Sequence, residues 1–200
     1  MIILATILSS WEKTTDTFKQ HIFYSREEKL EEHSGLITMK GRPLTLLGDI
    51  PAKGTRAPEF EVIDNDISTV TLGTYLGKTI ILSSVASLDT PVCDMEVRRF
   101  NEEAGSLDSD IVILTVSMDL PFAQKRWCGA AGVERVFTLS DHRHGSFGKN
   151  YGVLIKELRL LARAVFILDS EGIIRYHQLV TEVSQEPDYE EVLSAVKSIT

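Results

Sequence analysis

Apolar and polar positions divide this chain into two unlike parts. Residues 1–36 pass from an apolar start, MIILATIL, into the polar and charged stretch WEKTTDTFKQHIFYSREEKLEEHSG. Phe18, Ile22 and Phe23 fall at helical spacing, so one or two amphipathic helices fit between Lys13 and Lys29. The segment repeats nothing found downstream and reads as an N-terminal extension of uncertain order. From residue 37 to residue 200 the pattern becomes that of one domain.

That domain opens with ITMKGRPLTLLG, two short β-type runs about Lys40-Gly41, which predicts an N-terminal β-hairpin. The Gly- and Pro-bearing GDIPAKGTRAP that follows reads as loop. Four apolar runs of strand length come next: TIILSSV (79–85), DIVILTVSM (110–118), RVFTLS (135–140) and ARAVFILD (162–169). Helical patterns separate the first three, so these strands are expected to lie parallel in one sheet through βαβ crossovers. IIRYHQLV (173–180) returns after only Ser-Glu-Gly and predicts an antiparallel hairpin with the run before it. PDYEEVLSAVKSI closes the chain as a helix, with Pro187 in its first turn and Tyr189, Val192, Leu193 and Val196 on one face. The class is α/β, a mixed central sheet flanked by helices.

Composition narrows the function. The 200 residues are 43% hydrophobic and 25% charged, enough for one substantial core. A formal charge of −8 disfavours a nucleic-acid partner, which requires a concentrated Lys/Arg surface. No apolar run approaches the roughly 20 residues of a membrane span. MIILATIL also lacks the basic flank and cleavage site of a secretory signal, so the chain reads as cytoplasmic. Its two cysteines make a poor disulfide framework, and CxxC and Cys/His metal spacings are absent. The histidines at 21, 33, 142, 144 and 177 show no ligand spacing, so no metal site is expected.

The chemistry centres on SLDTPVCDMEVRRF (87–100). With Thr90 as N-cap and Pro91 at the first helical position, Cys93 falls in the first turn, where free amides and the helix dipole favour a thiolate. Cys93, Val97, Phe100 and Ala104 also form a core-facing stripe, so the local pattern leaves a buried filler and a nucleophile equally open. Cys128 lies in the last turn of DLPFAQKRWCGAAG, a short helix expected to start at Asp119 as cap and to stop at Gly129. Such a helix opens at modest cost. A disulfide needs Cα atoms within about 7 Å, so two helix-borne cysteines require that kind of mobility. Arg163 interrupts the apolar run LLARAVFIL. It is either an arginine reaching solvent or one paired inside, and a strand beside the one leading to Cys93 would let its donors reach the sulfur.

Together SLDTPVC, VRRFNEEA, LPFAQKRWCGAAG, ARAVFILD and EPDYEEVL resemble the thiol peroxidases, the atypical two-cysteine branch of the peroxiredoxins, over residues 37–199. The resemblance implies a thioredoxin-like fold, a homodimer and no cofactor. By position it makes Cys93 the peroxidatic cysteine, Thr90 its hydrogen-bonding threonine, Arg163 the active-site arginine and Cys128 the resolving cysteine. The implied reaction reduces hydrogen peroxide or organic hydroperoxides through a Cys93 sulfenic acid and a Cys93–Cys128 disulfide that thioredoxin reduces.

One position departs from the wider family pattern Pro-x-x-x-Thr-x-x-Cys, because Ala86 stands at the proline. That bears on rate and substrate preference, and it keeps open a peroxide-responsive redox sensor with little turnover. Asp94 and Glu96 either face the sulfur and oppose its charge or face solvent and matter little.

Overall fold

A computed structural model describes residues 30–199, and the helices expected between Lys13 and Lys29 lie outside the described residues. The first elements are β1 (Glu32–Met39) and β2 (Arg42–Leu47), an antiparallel hairpin. Its two turn residues, Lys40 and Gly41, have φ of 52° and 75°. Positive φ at both central positions matches the twist of the flanking strands. The boundary expected after residue 36 falls inside β1. Its C-terminal half is the first run of the expected hairpin, whereas its N-terminal half carries no β-type pattern because it is polar and mostly exposed, with a register shift between Ser34 and Ile37. β2 also pairs with β8 (Leu154–Ile155), completing a three-stranded sheet.

The main sheet contains β3 (Glu61–Ile63), β4 (Thr69–Thr71), β5 (Thr79–Ser84), β6 (Ile111–Ser117), β7 (Val136–Ser140), β9 (Ala164–Leu168) and β10 (Ile174–Leu179). Their order is β10-β9-β5-β6-β7-β3-β4. β5, β6 and β7 run parallel, linked by α1 (Pro91–Glu103) and α2 (Pro121–Ala131), as the run and helix spacing predicts. β9 is antiparallel to β5, and β10 to β9, as the short Ser-Glu-Gly connection requires. The continuous apolar runs have the expected cause: every residue of β9, and all of β5 and β6 but their first, is buried.

Two further helices lie among the described residues, α3 (Ser146–Asn150) and α4 (Tyr189–Lys197). α4 begins at Tyr189, after Pro187 rather than including it, because Asp188 is the N-cap, its carboxylate accepting from the Glu191 amide at 3.0 Å. Phe100 of α1 meets Tyr189 of α4 edge-on at 5.5 Å, which joins these helices. On α3, Phe147 stacks on Tyr151 at 4.6 Å, and Tyr151 meets Phe166 of β9 at 5.1 Å. Gly48 is required where the small sheet meets this helix: at φ 87°, an added Cβ would stand 2.0 Å from the Lys149 carbonyl oxygen.

The hairpin reaches the C-terminal segment through one carboxylate. Glu182 accepts from Thr38 Oγ1 at 2.8 Å and from the amides of Lys40 and Gly41 at 3.1 and 3.2 Å. Backbone bonds run alongside it, Thr38 N–H to Thr181 O and Val183 N–H to Thr38 O. Residues 181–183 are thereby fixed beside the start of β9, where the site lies.

Candidate active site

Thr90 is the N-cap of α1 in extended conformation, and Pro91 occupies the first helical position. The Thr90 carbonyl accepts from the Asp94 amide at 2.9 Å, so Cys93 sits in the first turn, among amides that have no carbonyl partner within the helix. The Thr90 side chain makes no capping bond and donates instead to the Ser87 carbonyl at 2.9 Å. Cys93 is 1% exposed, on the buried stripe with Val97 and Phe100.

Arg163 immediately precedes β9, and the pairing of Ser84 with Ala164 brings it to the end of the strand that leads toward Cys93. It is 1% exposed, and its Nη2 donates to Cys93 Sγ at 3.3 Å and to the Val183 carbonyl at 3.3 Å. Its Nη1 donates to Glu96 Oε2. The other Glu96 oxygen accepts from Ser83 Oγ at 2.6 Å. The guanidinium therefore bridges a carboxylate and a sulfur, both inside the protein.

The electrostatics follow from that burial. Desolvation raises the Glu96 pKa, and the charge of Arg163 and the Ser83 hydrogen bond offset only part of it. Desolvation also opposes the Arg163 cation, yet the charges of Glu96 and Cys93 hold its pKa above the ordinary value. A guanidinium so held stays charged and offers fixed donors where negative charge sits or develops.

Cys128 lies on α2, half-buried, with its Sγ 3.2 Å from Thr138 Oγ1 on β7. Thr138 Oγ1 in turn accepts from Asn65 Nδ2 at 2.9 Å. Both cysteines are free thiols. α2 starts and stops later than expected. Its N-cap is Leu120, and it continues through Gly129 to end at Gly132, whose φ of 67° suits a helix terminus. Asp119 is not the cap because its carboxylate is engaged elsewhere. One oxygen accepts from Ser87 Oγ and the other from the Leu88 amide and Ser117 Oγ, all at 2.8 Å. It thus ties the loop before Cys93 to the loop before the Cys128 helix.

Cys93 and Arg163 are in contact, Thr90 stands at the N-cap position of the Cys93 helix, and Cys128 lies on the neighbouring helix. Of the two orientations the sequence leaves open for Glu96, three residues after Cys93, the structure has the inward one, with the side chain buried against Arg163. Asp94, the other acid, turns sideways to Arg98 and Trp127. Ala86 is buried in the connection between β5 and α1. Among the described residues no group of three or more His, Cys, Asp or Glu is placed to hold a metal ion. No described helix is long and apolar enough to cross a membrane.

A redoxin family model matches residues 52–193. The chain belongs to the redoxin family. This redoxin is 54% identical over 162 residues to the thiol peroxidase of Halalkalibacterium halodurans, spanning 81% of the chain and 97% of that relative. It is 53% identical over 163 residues to the thiol peroxidase of Staphylococcus saprophyticus, spanning 82% and 98%. Among solved structures it is similar to a peroxiredoxin-like protein from Aquifex aeolicus, with TM-score 0.78 and 41% identity over 84% of this chain and 99% of that one. A thiol peroxidase from Chromobacterium violaceum, 19% identical with TM-score 0.74 over 81% and 95%, shares the fold. The chain therefore belongs with the thiol peroxidases among the redoxins, on the thioredoxin-like fold that its motifs imply.

Proposed function

We propose that this redoxin is a thiol-dependent peroxidase in which Cys93 attacks the peroxide and Cys128 resolves the product. The observation that carries the reading is the 3.3 Å contact between Arg163 Nη2 and Cys93 Sγ, made where both side chains are 1% exposed. A guanidinium fixed in that setting holds its donors on the sulfur, whose anionic form is the nucleophile.

The Cys93 thiolate attacks one peroxide oxygen, forming an S–O bond as the O–O bond breaks. Sulfur is oxidised to the sulfenic acid, and the other oxygen leaves with the electron pair and takes a proton to become water or an alcohol. Arg163 stabilises the charge on that departing oxygen. Thr90 has committed its hydroxyl proton to Ser87, so toward a bound peroxide it acts as acceptor. The burial of Cys93 selects small peroxides.

Cys128 then displaces hydroxide from the sulfenic sulfur, giving the Cys93–Cys128 disulfide and, with a proton, water. A dithiol protein of the thioredoxin type, the proposed reductant, returns both thiols. Stopped-flow peroxide consumption by reduced protein, with Cys93→Ser as control, tests the first step. A disulfide map after one equivalent of peroxide tests the second. Rapid, Cys93-dependent consumption with a 93–128 crosslink is expected; consumption no faster than that of a free thiol overturns the reading in favour of a slow redox sensor.

A further inference from the structure

The residues next to the two cysteines hold each other. Asp94 follows Cys93, Trp127 precedes Cys128, and the Trp127 indole N–H donates to Asp94 Oδ1 at 3.0 Å. The second Asp94 oxygen accepts from Arg98 Nε at 2.9 Å. Arg98 closes the circuit: its Nη1 donates to the Ala131 carbonyl in the last turn of α2 at 2.9 Å, and its guanidinium lies 5.7 Å from the centre of the Trp127 ring. One carboxylate, one guanidinium and one indole thus join α1 to α2.

Elsewhere α2 is held by a few contacts, Gln124 Nε2 donating to the Leu139 carbonyl at 2.9 Å and Trp127 and Ala131 packing part-buried on the core. Only Pro121 and Gln124 of its eleven residues are buried. The surface beneath it is polar, with Gln124 Nε2 on Ser117 Oγ at 3.0 Å and Cys128 on Thr138. Gln124 Oε1 and the Thr115 hydroxyl are buried without a protein partner, a seam that yields little adhesion from apolar contact. Neighbouring residues on a helix point about 100° apart. While Trp127 faces Asp94, the Cys128 sulfur is turned to Thr138 on the sheet. Bringing it to Cys93 requires the last turn of α2 to unwind or rotate, and Trp127 moves with it.

We propose that Asp94, Arg98 and Trp127 are positioning residues for the second half of the reaction, a clasp that keeps α2 docked and must release before Cys128 reaches Cys93. This rests on the roles of Cys93 and Cys128 proposed above. The clasp then sets how long the sulfenic acid survives. A lingering Cys–SOH takes an oxygen from a second peroxide, becoming sulfinic acid while that peroxide leaves as water or an alcohol. Tight closure favours this branch, and easy release favours the disulfide.

Trp127→Phe keeps a ring on Arg98 and deletes the indole N–H. Its disulfide formation, followed by rapid acid quench and mass spectrometry, is expected to run about tenfold faster, the worth of one hydrogen bond to a charged acceptor. The sulfinic fraction at excess peroxide falls, and the first step, read as sulfenic acid trapped by dimedone, stays within twofold. Resolution unchanged or slower in a folded variant overturns the clasp. The sequence holds two tryptophans, at 11 and 127, so Trp11→Phe leaves Trp127 as sole emitter with the clasp intact. Its emission is expected to shift red in step with the disulfide and not with the sulfenic acid; emission indifferent to the disulfide overturns the proposal even if Trp127→Phe fails to fold. A wild-type protein that forms sulfenic acid but no 93–128 disulfide overturns the resolving role of Cys128 itself, and the clasp with it.

Discussion

Arg163 and Glu96 form an ion pair sealed from solvent, with side chains 1% and 0% exposed. A pair so buried gains little over well-packed apolar residues, because desolvation consumes most of the attraction. Its significance lies in what the second guanidinium nitrogen does. Glu96 and the Val183 carbonyl leave Arg163 one orientation, and in that orientation Nη2 points at Cys93.

Removing the cation strands a buried carboxylate. Arg163→Met is expected to lower unfolding free energy by about 3–5 kcal/mol and the rate of peroxide reduction about 10²–10³-fold. The double variant Arg163→Met/Glu96→Gln recovers most of the stability and none of the rate. Urea denaturation and stopped-flow kinetics on the three proteins decide it, and a double variant as unstable as the single one would sink the argument.

Removing the anion acts in the opposite sense on the sulfur. Glu96→Gln keeps the shape and an oxygen for the guanidinium, and leaves the positive charge shared with one anion where there had been two. An altered interaction of about 1 kcal/mol makes Cys93 alkylation by iodoacetamide about fivefold faster at slightly acid pH. A slower reaction would mean that Glu96 serves the thiolate through orientation of Arg163 rather than competing with it.

The pattern of residues reveals some of this arrangement and hides the rest for identifiable reasons. Continuous apolar runs mark β5, β6 and β9 because those strands are covered on both faces. Cys93 is legible from Thr90-Pro91, a local signal, and Arg163 stands out as a charge in an apolar run. β3, β4, α3 and β8, of two to five residues each, carry no such pattern, since elements this short exist by pairing with distant ones. Glu96 resembles any solvent-facing helix acid until Ser83 and Arg163, 13 and 67 residues away, arrive around it. Asp119 resembles a helix cap for the same reason, because its partners Ser87 and Leu88 belong to another loop.

Glu182 links the hairpin to the segment that holds Arg163. Hydrogen bonds from Ser184, Thr38 and the Lys40 and Gly41 amides hold its pKa down to about 2, against an ordinary 4.5. A depressed carboxyl pKa adds stability that is complete above the ordinary value and is lost as pH falls toward 2. Glu182→Ala is expected to be less sensitive to acid in that window. At neutral pH its Lys40 and Gly41 amides exchange with deuterium faster than in the wild type, and peroxide reduction slows as the Val183 carbonyl loses its anchor. Unchanged exchange at those two amides would show that the backbone bonds of Thr38 suffice alone.

Asp141 titrates with the opposite sign. Burial raises its pKa from 3.8 to about 6, although the Phe147 and Gly148 amides donate to it at 3.2 and 2.8 Å. Between about pH 4 and pH 6 the folded chain keeps a proton that the unfolded chain has released, so this group contributes stability at low pH and loses it as pH rises. A difference of about two pH units corresponds to about 3 kcal/mol. Asp141→Asn retains an oxygen for the α3 amides and has nothing to titrate. Measured by urea denaturation at intervals across that window, the difference in stability between variant and wild type should move in the variant's favour by up to that amount as pH rises. A constant difference would mean that the Asp141 carboxylate is as comfortable folded as unfolded, its two amide donors and the nearby Lys149 having compensated the burial in full.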